Sequence, residues 1–110
     1  MKKVAIVGGG LVGLAVGYKL SLLGGYKVTV FEKEEQQGMH QSGRNSGVIH
    51  CGLSYEPKSL KARLAHDGTK QMKAFCEQNN VNFDICGKVM VASDDEEVKL
   101  LEGVARKGEL

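Results

Sequence analysis

Three glycines at fixed spacing, Gly8, Gly10 and Gly13, and an acid nineteen residues beyond the last of them, Glu32, form the pattern that most directly implies chemistry. The run Gly8-Gly9-Gly10-Leu11-Val12-Gly13 matches G-x-G-x-x-G, a hexapeptide that a glycine-rich chain also produces by chance. Its meaning depends on its flanks. Gly8 permits a tight turn off a strand, Gly10 removes the Cβ that would collide with a pyrophosphate, and Gly13 lets a helix lie close against a sheet. Gly17, one turn on, extends that close contact. The amides of Gly10, Leu11 and Val12, at a helix start, then bind phosphate oxygens with help from the helix dipole. Glu32 accepts hydrogen bonds from ribose hydroxyls and repels a 2′-phosphate, which disfavours NADP. FAD and NAD present the same ADP half, so the unit by itself leaves both open.

The elements that must hold these residues are legible on either side. Val4-Ala5-Ile6-Val7 is an unbroken apolar run bounded by glycine, the pattern of a strand buried on both faces in a parallel sheet. Apolar residues continue from Leu11 to Leu23, which predicts a largely buried helix stopped by Gly24-Gly25. Val28-Thr29-Val30-Phe31 reads as a second strand ending at Glu32. Strand, helix and strand make one right-handed crossover unit with parallel strands, which gives the hexapeptide the context it needs. Lys33 to Glu56 shows neither period, and so long a stretch without structure marks a binding loop. Pro57 suits a first helical residue, and Leu60, Leu64, Gly68, Met72, Phe75 and Cys76 give an amphipathic helix to about Gln78, broken by Asn79-Asn80. Lys88 to Ala92 reads as a short strand. Ser93-Asp94-Asp95-Glu96 reads as a capping box before a last helix with Val98, Leu101, Val104 and Ala105 as its stripe.

Composition sets outer bounds. The 110 residues are 42% apolar and 25% charged, with a formal net charge of +2, which argues against a disordered tail, a collagen-like repeat or an avid nucleic-acid binder. Fifteen glycines against one proline and no tryptophan mean a backbone that must go where side chains cannot. Cys51, Cys76 and Cys86 are odd in number and lack a C-x-x-C pair, so they read as reduced thiols of a cytoplasmic protein. Met1-Lys2-Lys3 and the apolar run after it mimic a secretory signal, but Gly8, Gly9, Gly10, Gly13 and Gly17 interrupt that run and no cleavage pattern follows. The same run is too short and too rich in glycine to cross a membrane. The histidines and cysteines show no metal-ligand spacing, so no metal is expected.

The long loop carries a resemblance. Phe31-Glu32-Lys33-Glu34, followed by His40-Gln41-Ser42-Gly43-Arg44-Asn45-Ser46-Gly47-Val48-Ile49-His50-Cys51-Gly52-Leu53-Ser54-Tyr55, resembles the FAD-dependent oxidoreductases of the D-amino-acid-oxidase type, and among them the L-2-hydroxyglutarate oxidases and dehydrogenases. Ser59-Leu60-Lys61-Ala62 and Cys86-Gly87-Lys88 extend the similarity over nearly the whole chain. The resemblance implies an α/β fold, a partial Rossmann-like FAD-binding βαβ unit over residues 1–80, and the beginning of a substrate-binding domain over 81–110. It also implies an N-terminal piece of a longer two-domain enzyme. FAD is then the expected cofactor, held by the glycine turn, Leu11, Val12, Glu32 and Lys33. Ser42, Gly43, Asn45, Ser46 and Gly47 would lie against the pyrophosphate and the flavin ring, with Arg44 either paired to phosphate or solvated.

The expected activity is hydride transfer to FAD from a small 2-hydroxy acid, L-2-hydroxyglutarate, with oxygen or a quinone as acceptor. His50 is the candidate base, against a structural place in the loop. His40 reads as loop-fixing, His66 as helix surface, and Lys61 as a solvated residue or a partner for a substrate carboxylate. Other readings compete. His50-Cys51-Gly52 also resembles the I-H-G-G run of glycerol-3-phosphate dehydrogenases, an amino-acid substrate fits the same fold, and the chain alone could be an inactive nucleotide-binding remnant. An NAD module is disfavoured by the Ser/Gly/Asn loop. The expected location is the cytoplasm, with peripheral association to the inner face of a membrane left open.

Overall fold

The structure is a computed structural model that describes residues Met1 to Glu109. The chain separates into two compact units, Met1–Gly47 and Val48–Leu110, and each is built in its own way.

The first unit is the expected crossover. Strand β1 (Lys2–Val7) runs parallel to β2 (Tyr26–Phe31), pairing Lys2 with Tyr26 through to Val7 with Phe31, and helix α1 (Leu11–Leu23) connects them. The ladder is extended at both ends, by the Lys2 amide donating to the Gly25 carbonyl at 2.8 Å and the Gly8 amide to the Phe31 carbonyl at 2.7 Å. Gly24 and Gly25, at φ of 70° and 72°, end the helix in a backbone conformation that L side chains resist. Within α1 the buried residue is Gly17, set over Ile6, Val28 and Val30.

Two expectations are corrected here. The strands are covered on one face: Val4, Ile6, Val28 and Val30 are half-buried, while Val7 and Phe31, on the opposite face, are 89% and 57% exposed. Helix α1 is likewise not largely buried, with Val12 78% and Leu23 74% exposed. A single helix against two strands can shield only the stripe that faces them, whereas an unbroken apolar run is suited to cover from both sides.

The second unit holds helices α2 (Leu60–Gln78) and α3 (Asp95–Gly108). Helix α2 starts later than Pro57 suggests. Pro57 and Lys58 form a turn, Lys58 takes a φ of 65°, and Ser59 is the cap, its hydroxyl accepting the Ala62 amide at 3.1 Å. At the other end Asn80 has a φ of 54° and the Val81 amide reaches back to the Cys76 carbonyl at 2.9 Å, the reverse turn that closes many helices. Lys88 to Ala92 is not a strand, since among the described residues no segment pairs with it. The cap of α3 is shifted by one residue from the expected box. Asp94 accepts the Glu96 and Glu97 amides at 3.0 and 2.8 Å, and Glu97 returns a carboxylate oxygen to the Ser93 amide at 2.7 Å. Asp95, Glu96 and Glu97 in the first turn, with Arg106 and Lys107 in the last, complement the helix dipole. No described helix is long and apolar enough to cross a membrane.

Candidate cofactor-binding site

The site grows from the end of β1. Gly8 at φ 106° turns the chain off the strand, and Gly13 sits so close to the Gly8 carbonyl oxygen that a methyl group there would collide with it. The turn can therefore enter α1 directly, with Gly10 as the residue before its first turn and no side chain of its own to cap it. Helix starts leave amide donors without intrahelical partners. Here the Leu11 amide is taken by the Ser42 hydroxyl, which accepts it at 2.7 Å. A Cβ on Gly10 would lie 3.0 Å from that same hydroxyl, so the glycine is what lets the loop come in. No acid occupies the first turn of α1 itself.

Glu32, one residue beyond β2, closes the other side. Its Oε2 accepts the Gly9 amide at 2.6 Å and its Oε1 the Glu34 amide at 3.0 Å. These amides, Glu34 first and Gly9 second, hold the carboxyl below its ordinary range against an opposing effect of desolvation. The segment after Glu32 folds back over the turn. The Gly38 amide donates to the Gly9 carbonyl at 3.1 Å, and Gly43 lies against the Gly38 carbonyl too closely for any side chain. His40 Nε2 and Glu34 Oε1 are 2.7 Å apart, a loop-fixing bond that lowers the Glu34 carboxyl. Lys33 is exposed, its Nζ 3.6 Å from the same Glu34 oxygen.

The remaining loop residues are placed as follows. Asn45 donates to the Gln41 and Ser42 carbonyls at 2.7 and 3.1 Å and accepts the Gly47 amide at 2.7 Å, so its amide group shapes the loop itself. Gly47 has a φ of 66°, Ser46 is exposed, and Arg44 is exposed with no ion pair among the described residues. His50 belongs to the second unit. Its carbonyl accepts the Thr69 hydroxyl at 2.9 Å, while its ring is exposed and makes no hydrogen bond to any described residue. Cys51 and Cys86 are exposed free thiols, Cys76 is buried, and His66 lies on the exposed surface of α2. Lys61 places its ammonium 4.3 Å from the centre of the Tyr55 ring.

Sequence reasoning brought Gly8, Gly10, Leu11, Gly13, Glu32 and Ser42 to one place. It missed Gly9, Glu34 and Gly38 as parts of the same construction. Gly38 could have been found as an isolated glycine in a loop, a sign of a positive φ, and here it has one of 72°.

A glycine turn feeding a helix N-terminus, beside a parallel strand that ends in a bonded carboxylate, defines a dinucleotide-binding crossover unit. Its donors suit a diphosphate, because the Leu11 amide already engages an oxygen acceptor and a Cβ at Gly10 would crowd that acceptor at 3.0 Å. Comparison with known proteins makes the assignment particular: residues 3–110 match the FAD dependent oxidoreductase family, and the chain belongs to that family. The family is FAD-dependent. The chain is 47% identical over 106 residues to the mitochondrial L-2-hydroxyglutarate dehydrogenase of Dictyostelium discoideum, a match that takes in 96% of this chain and 24% of that protein. It is 42% identical to the mitochondrial L-2-hydroxyglutarate dehydrogenase of Homo sapiens, covering 96% of this chain and 23% of the relative. With the L-2-hydroxyglutarate dehydrogenase of Escherichia coli the identity is 39%, over 94% of this chain and 25% of the relative. The chain thus spans about a quarter of the length of the curated relatives it matches.

Proposed function

We propose that the protein oxidises a 2-hydroxy acid, L-2-hydroxyglutarate, to the 2-oxo acid, passing electrons through FAD to oxygen or a quinone. The observation that carries this reading is the similarity of 96% of the chain to proteins named L-2-hydroxyglutarate dehydrogenase.

Each part of the chain has a task in this reading. Gly10, Leu11 and Val12 bring their amides to the pyrophosphate, the Leu11 amide exchanging the Ser42 hydroxyl for a phosphate oxygen, with Gly8 and Gly13 shaping the turn. Glu32 takes the adenosine ribose, with Lys33 beside it, and the Ser42–Gly47 loop serves the diphosphate and the flavin side. FAD, when bound, supplies the two-electron oxidant for the C2–H bond. His50 takes the proton from the substrate hydroxyl, a task that suits an imidazole at neutral pH. Its backbone carbonyl is tied to the Thr69 hydroxyl, and its ring makes no hydrogen bond to any described residue, which leaves both ring nitrogens open to a substrate. Residues 1–80 belong to the flavin domain and 81–110 to the substrate domain.

Anaerobic mixing of the whole flavoprotein with single substrates tests the proposal. Bleaching of the visible flavin band by L-2-hydroxyglutarate is the expected result. Bleaching by glycerol 3-phosphate or an amino acid, with none by L-2-hydroxyglutarate, would overturn it.

A further inference from the structure

We infer that Glu34 and His40 form a clasp that positions Glu32 and Ser42 for the cofactor. The inference rests on the cofactor reading and goes beyond it, because neither residue belongs to the glycine turn or to the second-strand acid. The bonds form a continuous path. His40 Nε2 meets Glu34 Oε1 at 2.7 Å, the Glu34 amide donates to Glu32 Oε1 at 3.0 Å, and Glu32 Oε2 accepts the Gly9 amide at 2.6 Å. From Glu34 to His40 the chain closes on itself, and inside the closed loop Gly38 returns its amide to the Gly9 carbonyl at 3.1 Å. Two residues past His40, Ser42 accepts the Leu11 amide at 2.7 Å.

The consequence is geometric. A carboxylate on a strand end has free rotations, and the Glu34 amide is the donor that selects which way Glu32 Oε1 points. That amide is itself held only as well as the loop behind it. His40 ties the loop through the Glu34 side chain, and the Lys33 ammonium stands 3.6 Å from the same oxygen. His40 and Glu34 are therefore positioning residues, acting through Glu32 and Ser42 on a ligand that they do not themselves touch. The pair is partly solvent-exposed, His40 more than Glu34, so its effect is small in size and specific in kind.

The test uses the whole apoprotein, with FAD affinity from flavin fluorescence and amide hydrogen exchange at Gly38 and Leu11. His40→Ala and Glu34→Ala should each weaken FAD binding by about twofold to fivefold, the range of an exposed ion pair. The double variant should be no worse than either single one, and exchange at Gly38 should accelerate in all three. His40→Gln keeps a donor for the carboxylate and should restore most of the affinity, which a merely bulky residue would not. Additive losses in the double variant, or unchanged exchange at Gly38 in His40→Ala, would overturn the clasp. FAD affinity left unchanged by Glu32→Ala, with accelerated Gly38 exchange in His40→Ala, would instead overturn the cofactor reading on which it rests.

Discussion

Glu32 Oε2 lies 2.6 Å from the Gly9 amide, joining the end of the second strand to the middle of the glycine turn across a separation of 23 residues. The carboxylate thus does structural work before any ligand is considered. It satisfies a backbone donor that the turn would otherwise leave unpaired, and it ties the two strand ends at the point where a dinucleotide would lie.

Glu32→Ala should therefore show two losses in the whole protein. FAD affinity should fall by about tenfold or more, the effect of losing hydrogen bonds to a charged acceptor. Amide exchange at Gly9 should rise in the apoprotein as well. Unchanged affinity, measured by flavin fluorescence, would place the ribose elsewhere.

Two glycines of α1 should respond in opposite directions. At Gly13 an added methyl collides with the Gly8 carbonyl oxygen, so Gly13→Ala should destabilise the protein by about 1–3 kcal/mol and reduce flavin content. At Gly17 the added Cβ would lie 3.4 Å from Ile6 Cδ1 and 3.6 Å from Val28 Cγ1, ordinary packing distances. Gly17→Ala should be neutral, or stabilising by up to about 1 kcal/mol from the better helix propensity of alanine. Thermal unfolding of the two variants separates the cases.

Acid should act on this loop later than on ordinary carboxylates. Glu32 and Glu34 are both held below the ordinary value of 4.5, Glu32 by the Glu34 and Gly9 amides and Glu34 by His40. A carboxyl whose folded value is lowered binds fewer protons folded than unfolded, so its stabilisation is complete above 4.5 and disappears as pH falls through the lowered folded values. Stability followed downward in pH should begin to fall near 4.5, where the unfolded chain takes up protons first, and this contribution should be gone once pH lies below the lowered folded values. In His40→Ala the folded value of Glu34 should return toward 4.5, so its part of the pH-dependent loss should shrink.

His50→Asn addresses the chemistry. With His50 as the base, kcat and kcat/KM should fall together by about 10² to 10⁴ while flavin content is preserved, because proton removal matters in the transition state. Loss of flavin with full activity in the remaining holoenzyme would make His50 a structural residue of the loop.

Asp94 should control the start of α3. Its carboxylate accepts two first-turn amides, and Asp94→Ala should cost about 0.5–2 kcal/mol of local stability, read as faster amide exchange at Glu96 and Glu97. Asp94→Asn keeps an acceptor and should retain most of the protection.

Features that depend on spacing along the chain were legible before any fold was known. The unbroken run at Val4–Val7, the glycine-stopped helix from Leu11 to Leu23, and the second strand ending at Glu32 needed only the periods of strand and helix and the restricted backbone of non-glycine residues. The helix at Leu60–Gln78 was legible for the same reason, although its true start waited on Ser59, because one cap is chosen by which hydroxyl reaches an amide. Which groups meet across the loop became visible in the folded chain alone: Glu32 with Gly9, Ser42 with Leu11, His40 with Glu34. Such pairs carry no period, since loop closure, not local preference, brings them together. The same reason undid the expected strand at Lys88–Ala92 and the two-sided burial of β1 and β2. A strand exists only through its partner, and a buried face only through what covers it, and neither is written in the residues of the segment itself.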